Sequence, residues 1–322
     1  MIDKINNVII LLASYNGESY IARQIESIID QDHEKWKLII SDDCSQDSTF
    51  TICKYYEEID KRISVVKQQK NLGLLGNFSK LIQFARKYHD EKYFMFSDQD
   101  DIWNRDKISS CLAVLKMKNG EIPILLYTSK QYVDNDLNKL NIKITGEEGI
   151  NLGKLLHQNM AYGCTMLFND KLCHILDDIP NGFTAHDHYV ALMAYFFGEI
   201  IFYPNKTLLY RQHMYNASGN IYRSLFAKIC ERENIQENIN LFFFVVSFCH
   251  IHMEYLSIKD KKMIMNIYNR IRKNSVFLLS SMFAYGIKKN AFFSNLNFYI
   301  EIFILVIYKN IKRVFAGKII GN

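Results

Sequence analysis

The sequence predicts an α/β fold on a mostly parallel sheet, and three observations carry that prediction. Over the first 130 residues, short apolar runs alternate with stretches whose apolar residues recur at helical spacing. That order produces parallel strands joined by crossover helices. Each of the first four strand-like runs also ends in polar residues able to do chemistry: Ser14-Tyr15-Asn16, Asp42-Asp43, Asn71, and Asp98 to Asp101. Open α/β sheets bind ligands outside the carboxyl ends of their strands, so these four ends define one candidate pocket. Finally, the run YFMFSDQDDIW takes an apolar strand directly into three aspartates within four positions. Carboxylates this close repel and raise one another's pKa, and a hard divalent cation with oxygen ligands relieves that conflict while holding a substrate diphosphate. The other reading is an acidic turn that opens the next helix, with Asp101 or Asn104 as N-cap.

Taken in order, Val8 to Ala13 is a strand, followed by a turn, SYNGE, that carries Gly17. From Glu18 to Asp30, the spacing of Ile21, Ile25, Ile28 and Ile29 predicts a helix. Trp36 to Ser41 is the second strand; SQDS then caps a helix with Ile52, Tyr55, Tyr56 and Ile59 on one side. Ile63 to Lys67 is the third strand, Asn71 to Asn77 a glycine-containing loop, Phe78 to Tyr88 a helix, and Tyr93 to Ser97 the fourth strand, buried on both faces. Further on, TAHDHYVALMAYFFG sets Val190, Ala191, Ala194 and Tyr195 at helical spacing behind Asp187, and Thr207 to Arg211 reads as a strand leading to Gln212 and His213. Alternating histidines at a helix start point to different faces, so His186 and His188 are not read as a metal pair.

At 322 residues and 49% hydrophobic content, the chain holds one large α/β domain or a domain with an appendage. Seven scattered cysteines without a Cys-x-x-Cys pair argue against a disulfide framework or zinc ribbon. No signal peptide is visible at the N-terminus, and the expected location is the cytoplasm. The net charge of +5 is uneven: residues 261–322 carry eleven Lys or Arg and a single acid, Glu301, so the preceding part is net acidic. Because Lys309, Lys312, Arg313 and Lys318 stand among Phe, Tyr, Ile and Leu, the tail is expected to lie on an anionic membrane surface and not on nucleic acid. The uncharged run Asn238 to Met253 is 16 residues long. It falls short of the roughly 20 needed to span a bilayer and reads as a core helix.

VIILLASYNGESYIARQIESI, LIISDDCSQDST, KNLGLLGNF, MFSDQDDIWNRDKI, AHDHYV and LYRQHMYN, in that order, resemble the family-two glycosyltransferases of bacterial surface-polysaccharide assembly, especially the rhamnosyltransferase-like branch. The likeness covers about residues 5–220. It implies a GT-A nucleotide-diphospho-sugar transferase fold, a catalytic domain over 1–220 with a helical, basic region over 221–322, and inverting transfer dependent on Mg2+ or Mn2+. The donor implied is dTDP-rhamnose or a UDP-hexose. The acceptor is a glycan, as a lipid-linked oligosaccharide, met by a peripheral enzyme at the inner face of the cell membrane; a homodimer stays open.

Carried over by position, the resemblance implies that Ala13, Tyr15 and Glu18 line the base pocket, with Asp42 accepting from a pyrimidine imide N–H. Asn71, Gly73 and Asn77 would approach the ribose and sugar, glycine permitting close backbone approach. Asp98 and Gln99 would contact the nucleotide sugar, Asp100 would bind the metal, and Lys107 would pair with the acidic cluster or a phosphate. Asp187 would be the catalytic base, the helix-start alternative being an N-cap. His213 would reach the metal or a phosphate, and Arg211 offers the forked cation that phosphates favour. Two departures from the family pattern stand out: His188-Tyr189 after the aspartate, and Met214-Tyr215-Asn216 after the histidine. A glycoside hydrolase also uses two carboxylates but needs no nucleotide pocket, and a glycan- or nucleotide-binding protein without transfer activity would not need Asp100 and Asp187.

Overall fold

The computed structural model describes residues 7–87, 92–118, 120–142, 149–213, 232–275, 277–287, 299–300 and 302–303, for 232–236 the backbone alone. The loop expected after His213, with Asn216 and Gly219, lies outside these residues, as do Tyr88 and the tail residues Lys309, Lys312, Arg313 and Lys318. By contact density the chain forms two compact units, one of residues 1–149, 160–180 and 184–221, the other of 150–159, 181–183 and 222–322.

The first unit is built on an eight-stranded sheet. β1 (Val8–Ser14), β2 (Trp36–Asp42), β3 (Ile63–Lys67) and β4 (Tyr93–Ser97) stand where the apolar runs place them, and β5 (Ile102–Trp103), β6 (Ile124–Val133), β7 (Met166–Asn169) and β8 (Glu199–Arg211) complete the sheet. The order is β3-β2-β1-β4-β7-β6-β8-β5. β3, β2, β1 and β4 run parallel, as do β6 and β8, whereas β7 is antiparallel to both neighbours and β5 to β8. Because the chain leaves β1 toward β2 and β3 and then returns to β4 on the other side, the ends of β1 and β4 flank a topological switch point. Such a crevice is the general ligand position in open α/β sheets.

The helices follow their apolar stripes in outline, with a correction at each of the first four. α1 (Ile21–Ile29) buries Ile21, Ile25 and Ile28 as its spacing predicts. It starts later than Glu18 because Tyr20 and Ile21 donate back to the Gly17 carbonyl in a turn. In α2 (Thr49–Ile59) the buried stripe is Thr49, Cys53 and Tyr56, while Tyr55 and Ile59 are exposed. A small residue and a cysteine pack inward there, which a search for large apolar residues passes over. α3 (Gly73–Ala85) begins four residues before the end of the expected loop: Gly73 takes φ +70°, and its N–H donates to Asn71 Oδ1 at 3.0 Å, turning the chain into the helix. Glycine is at home in that left-handed region. α4 (Lys107–Leu115) is preceded by Asp106, so neither Asp101 nor Asn104 is its N-cap. The core packs Ile10, Leu12, Leu38, Ile40, Met95, Trp103 and Leu126 around the sheet.

In the second unit, α5 (Leu152–Leu155) is capped by Asn151 Oδ1 accepting from Lys154 N. Back in the first unit, α6 (Asp170–Ile175) and α7 (His186–Phe197) follow β7. α8 (Arg232–Ile251), α9 (Ile258–Arg272) and α10 (Leu278–Ala284) belong to the second unit. α8 buries Ile239, Phe242, Val245, Val246 and Cys249 on one face, as expected for a core helix, but its end emerges with Ile251 exposed. His250 stacks on Tyr268 of α9 with ring centroids 3.8 Å apart. No helix among the described residues is long and apolar enough to cross a membrane. The six cysteines described are all free thiols.

Candidate active site

The switch point is closed by one side chain. Gln99 Oε1 accepts from Tyr15 N at 2.8 Å and its Nε2 donates to Tyr15 O at 3.0 Å, tying the loop after β4 to the loop after β1. Gly17 makes room for that clasp, since a Cβ there would lie 2.3 Å from the Gln99 amide. The Tyr15 ring stays exposed beside it, and Ala13 precedes the strand end. Glu18, expected at the base pocket, accepts through its carboxylate from Ser48 N at 2.9 Å and so also holds the start of α2. Asp42 is fully buried next to Ser14 in register, and its Oδ1 accepts from Ser45 N.

Asn77 sits in the second turn of α3, and burial there is a correction to its expected place near the ribose. It is 2% exposed, its Nδ2 donates to the Ser41 carbonyl at 2.9 Å, and its Oδ1 accepts from the Ser41 hydroxyl, so it braces β2. Asn71 and Gly73 remain at the mouth, where the Asp43 carboxylate accepts from Leu72 N at 2.7 Å.

The aspartates after β4 have three different environments. Asp100 Oδ2 lies 2.8 Å from His213 Nε2, so the two expected metal ligands are brought together. The Asp98 carboxyl is pushed up to about 7 by burial and then by the charges of Asp100 and Asp187, with Lys130 acting in the opposite direction. Asp101 is almost fully buried and accepts from Arg211 N at 3.3 Å, and burial drives its carboxyl well above the usual range. Arg211 is the second correction: it is 2% exposed, and its guanidinium donates to the backbone carbonyls of Asp100 (2.9 Å) and Asn135. It therefore shapes the aspartate loop from behind and does not stand open to a phosphate.

Asp187 lies in the first turn of α7, whose N-cap is Ala185, so the aspartate is not the helix cap. Its Oδ2 accepts instead from Gly163 N at 3.0 Å, in the turn ahead of β7. The helix N-terminus favours a carboxylate at this point. His186 is buried, stacked on Phe78 with centroids 3.5 Å apart, and burial alone pushes its imidazole down to about 3. Lys107, expected against the acidic cluster or a phosphate, is fully buried and donates to Cys164 O at 3.0 Å and Thr207 Oγ1 at 3.2 Å.

Lys130, Gly163 and Tyr20 join this site without having stood out in the sequence. Lys130 sits inside an apolar-looking strand with its Nζ 3.0 Å from the Tyr162 ring centroid, and nothing in the local pattern sets it apart. The GCT run offered only a glycine as a signal.

Two donor sets are candidates for a divalent cation. Asp98, Asp101 and Cys164 have ligand atoms within 4.8 Å of one another, but burial raises the Asp101 carboxyl and the Cys164 thiol well above their ordinary values. A thiol is a soft ligand and suits a hard cation poorly. The Asp100 carboxylate with the His213 imidazole at 2.8 Å fits better: it offers a hard oxygen and a borderline nitrogen with no thiol, the two atoms converge, and the pair stands at the rim of the sheet.

Comparison with known proteins bears on the family and the fold. Residues 9–176, just over half of the chain, match the family described as Glycosyl transferase family 2. The chain is 31% identical over 180 residues to TuaG of Bacillus subtilis, a protein named for teichuronic acid biosynthesis, covering 56% of this chain and 68% of that one. It is 37% identical over 111 residues to the dTDP-rhamnosyl transferase RfbG of Shigella flexneri, covering 34% and 38%. With the Escherichia coli UDP-Glc:alpha-D-GlcNAc-diphosphoundecaprenol beta-1,3-glucosyltransferase WfgD it shares 29% over 164 residues, covering 51% and 60%. Among solved structures, residues 1–349 of Staphylococcus aureus TarS in complex with UDP-GlcNAc superpose with a TM-score of 0.60 at 16% identity, covering 82% of this chain and 72% of that one. The mannosyltransferase PcManGT of Pyrobaculum calidifontis, in complex with GDP-Man and Mn2+, gives 0.52 at 14% identity, covering 95% and 87%. Sheet order, switch-point site and these matches together make the chain a member of glycosyl transferase family 2 with a GT-A fold.

Proposed function

We propose that this chain is an inverting glycosyltransferase that moves a sugar from a nucleoside-diphosphate donor to a glycan acceptor, with Asp187 as the base. One observation carries the proposal. The Asp187 carboxylate is anchored by the Gly163 N–H at 3.0 Å, and the next residue, Cys164, has its Sγ within 4.8 Å of the Asp98 and Asp101 carboxylates, which supports reading Asp187 as a base held beside the donor-side aspartates.

On this reading the base and ribose rest between Tyr15 and the loop Asn71–Gly73, with Ala13 and Glu18 at the base edge; Asp42, expected to accept from the base, is buried and braces the loop through Ser45 N instead. Asp98 and Gln99 lie along the sugar. Asp100 and His213 would hold Mg2+ or Mn2+, which when bound neutralises charge on the diphosphate as it departs. Asp187 takes the proton of the acceptor hydroxyl as that oxygen attacks the anomeric carbon from the face opposite the diphosphate. The bond from the anomeric carbon to the diphosphate oxygen breaks, and the nucleoside diphosphate leaves with the electron pair. Arg211, behind the aspartate loop, keeps Asp100 in place.

The relatives suggest the substrates: the donor is dTDP-rhamnose or a UDP-hexose, and the acceptor a lipid-linked oligosaccharide in surface-polysaccharide assembly. A catalytic domain over 1–220 followed by a membrane-apposed, basic region over 221–322 fits that acceptor. Exposed Ile251 and Ile258 next to Lys259, Lys261 and Lys262 are compatible with such a surface.

Asp187→Asn tests the central claim. Donor binding, followed by titration of the nucleotide sugar that supports turnover, should be retained, while transfer falls by about 10²–10⁴, the usual worth of general base catalysis. A parallel loss of donor affinity would make Asp187 a binding residue and remove the base from the mechanism.

A further inference from the structure

Tyr20, in the turn that leads into α1, touches nearly every group that shapes the Asp100–His213 pair. Its ring stacks on the His213 imidazole with centroids 4.7 Å apart and planes 15° from parallel. The Arg211 guanidinium carbon lies 5.2 Å from the same ring centroid, within cation–π range. The Tyr20 hydroxyl donates to Asn135 Oδ1 at 3.0 Å, and the Asn135 carbonyl in turn accepts from Arg211. Arg211 Nε holds the Asp100 carbonyl, and the Asp100 carboxylate meets His213. These contacts close a ring: Tyr20, Asn135, Arg211, Asp100, His213 and back to Tyr20. The four segments involved come from the β1–α1 turn, the end of β4, the turn after β6 and the end of β8.

We infer that Tyr20 is a positioning residue for the cation site, holding the plane of the His213 ring and the aspartate loop in one arrangement before any cation arrives. The inference rests on the reading of Asp100 and His213 as ligands and goes beyond it, because Tyr20 itself offers no ligand atom to that pair. A ligating imidazole needs its ring plane set as well as its nitrogen in reach, and groups that orient ligands from outside are typically worth about 10- to 100-fold in metal affinity. A face-to-face stack sets the plane. The hydroxyl contact with Asn135 stops the tyrosine ring from turning away, and the guanidinium ties both to the loop that carries Asp100.

The experiment titrates Mn2+ into the full-length protein, following free Mn2+ by electron paramagnetic resonance, with and without saturating UDP. Wild type should bind, and Tyr20→Leu, which removes the stack and the hydroxyl, should bind at least 10-fold more weakly, within the range given for outer-shell groups. Tyr20→Phe keeps the ring and should fall between the two, nearer wild type. Thermal melts without metal check that each variant is folded; if Tyr20→Leu is not, Tyr20→Met, long but without a flat face, takes its place. Equal Mn2+ affinity in wild type and the Leu or Met variant overturns the inference and leaves the ligand reading intact. A Phe variant as weak as Leu overturns the stacking role. No Mn2+ binding by wild type in either condition removes the ligand reading, and the inference with it.

Discussion

Asp187 takes its hydrogen bond from the N–H of Gly163, and a Cβ built on that glycine would lie 2.4 Å from His186 Nε2. The imidazole is itself wedged against Phe78 and edge-on to Phe96, so it has little room to give. Gly163→Ala should therefore push the first turn of α7, and Asp187 with it, out of line. Because a misplacement of about 1 Å at a reacting group costs about 10²-fold in rate, turnover at saturating donor should fall by about that factor while donor affinity holds. Comparing steady-state turnover with donor titration checks it, and a matching fall in affinity would place the glycine in the donor pocket instead. His186 makes a second prediction. Its pKa is about 3 in the folded chain against 6.5 ordinarily. Between those values the unfolded chain takes up a proton that the folded chain refuses. The sign follows: stability from this group is complete above about pH 6.5 and is lost as pH falls through the window. Relative to His186→Leu, the wild type should lose up to about 1.4 kcal/mol per pH unit there, read from denaturant midpoints. Parallel pH profiles for the two proteins would refute it.

Elements meet at places where backbone approaches backbone. α7 ends at Gly198 and β8 begins at once: Glu199 N donates to the Pro123 carbonyl at 2.9 Å, and a Cβ at position 198 would lie 1.9 Å from that same oxygen. The backbone of the segment entering β6 cannot yield as a flexible side chain does. Gly198→Ala should thus destabilise the protein by about 1–3 kcal/mol, as overpacking does, through separation of β8 from β6. Since β8 carries Arg211 toward the aspartate loop, the variant should also bind Mn2+ more weakly. Urea unfolding gives the first quantity, and an unchanged midpoint would mean that the two segments part without penalty. The same scale explains the error at α3. Gly73 and Gly76 read as loop residues, yet the turn that Asn71 makes with Gly73 N–H starts the helix there, which moved Asn77 from a loop into a buried position.

At the scale of the whole molecule the charge is divided, with eleven basic residues and one acid over 261–322. A surface of that sign paired with aromatic and aliphatic residues is expected to bind anionic lipid, each basic residue contributing up to about 1 kcal/mol near the leaflet. Full-length protein should co-sediment with vesicles containing anionic lipid, not with neutral ones, and binding should weaken steeply as salt rises from low to physiological strength. Equal sedimentation with both vesicle types would discard the electrostatic part of that assignment. Activity should also vanish in excess chelator and return with Mg2+ or Mn2+; undiminished transfer in chelator would sink the cation reading.

The order of the first four strands and of the helices between them, and the convergence of Ser14-Tyr15, Asp42-Asp43, Asn71 and Asp98–Asp101, were legible in the sequence, because local periodicity sets the elements and parallel topology sends these strand ends to the same edge. Which carboxylate does what was not. Asp98, Asp100 and Asp101 lie within four positions of the chain, but one shares the influence of Asp187, one meets His213 and one is buried under Arg211. Sequence spacing is blind to such differences, since burial and charge at each carboxyl come from β6, β8 and the turn before β7. Arg211 looked like a phosphate ligand by its chemistry, and the packing of β8 against β5 and β6 turned it inward. The parts played by Tyr20 and Gly163 exist only in three dimensions: a tyrosine 193 positions before His213 and a glycine N–H become meaningful when separate strands deliver their partners within a few ångströms.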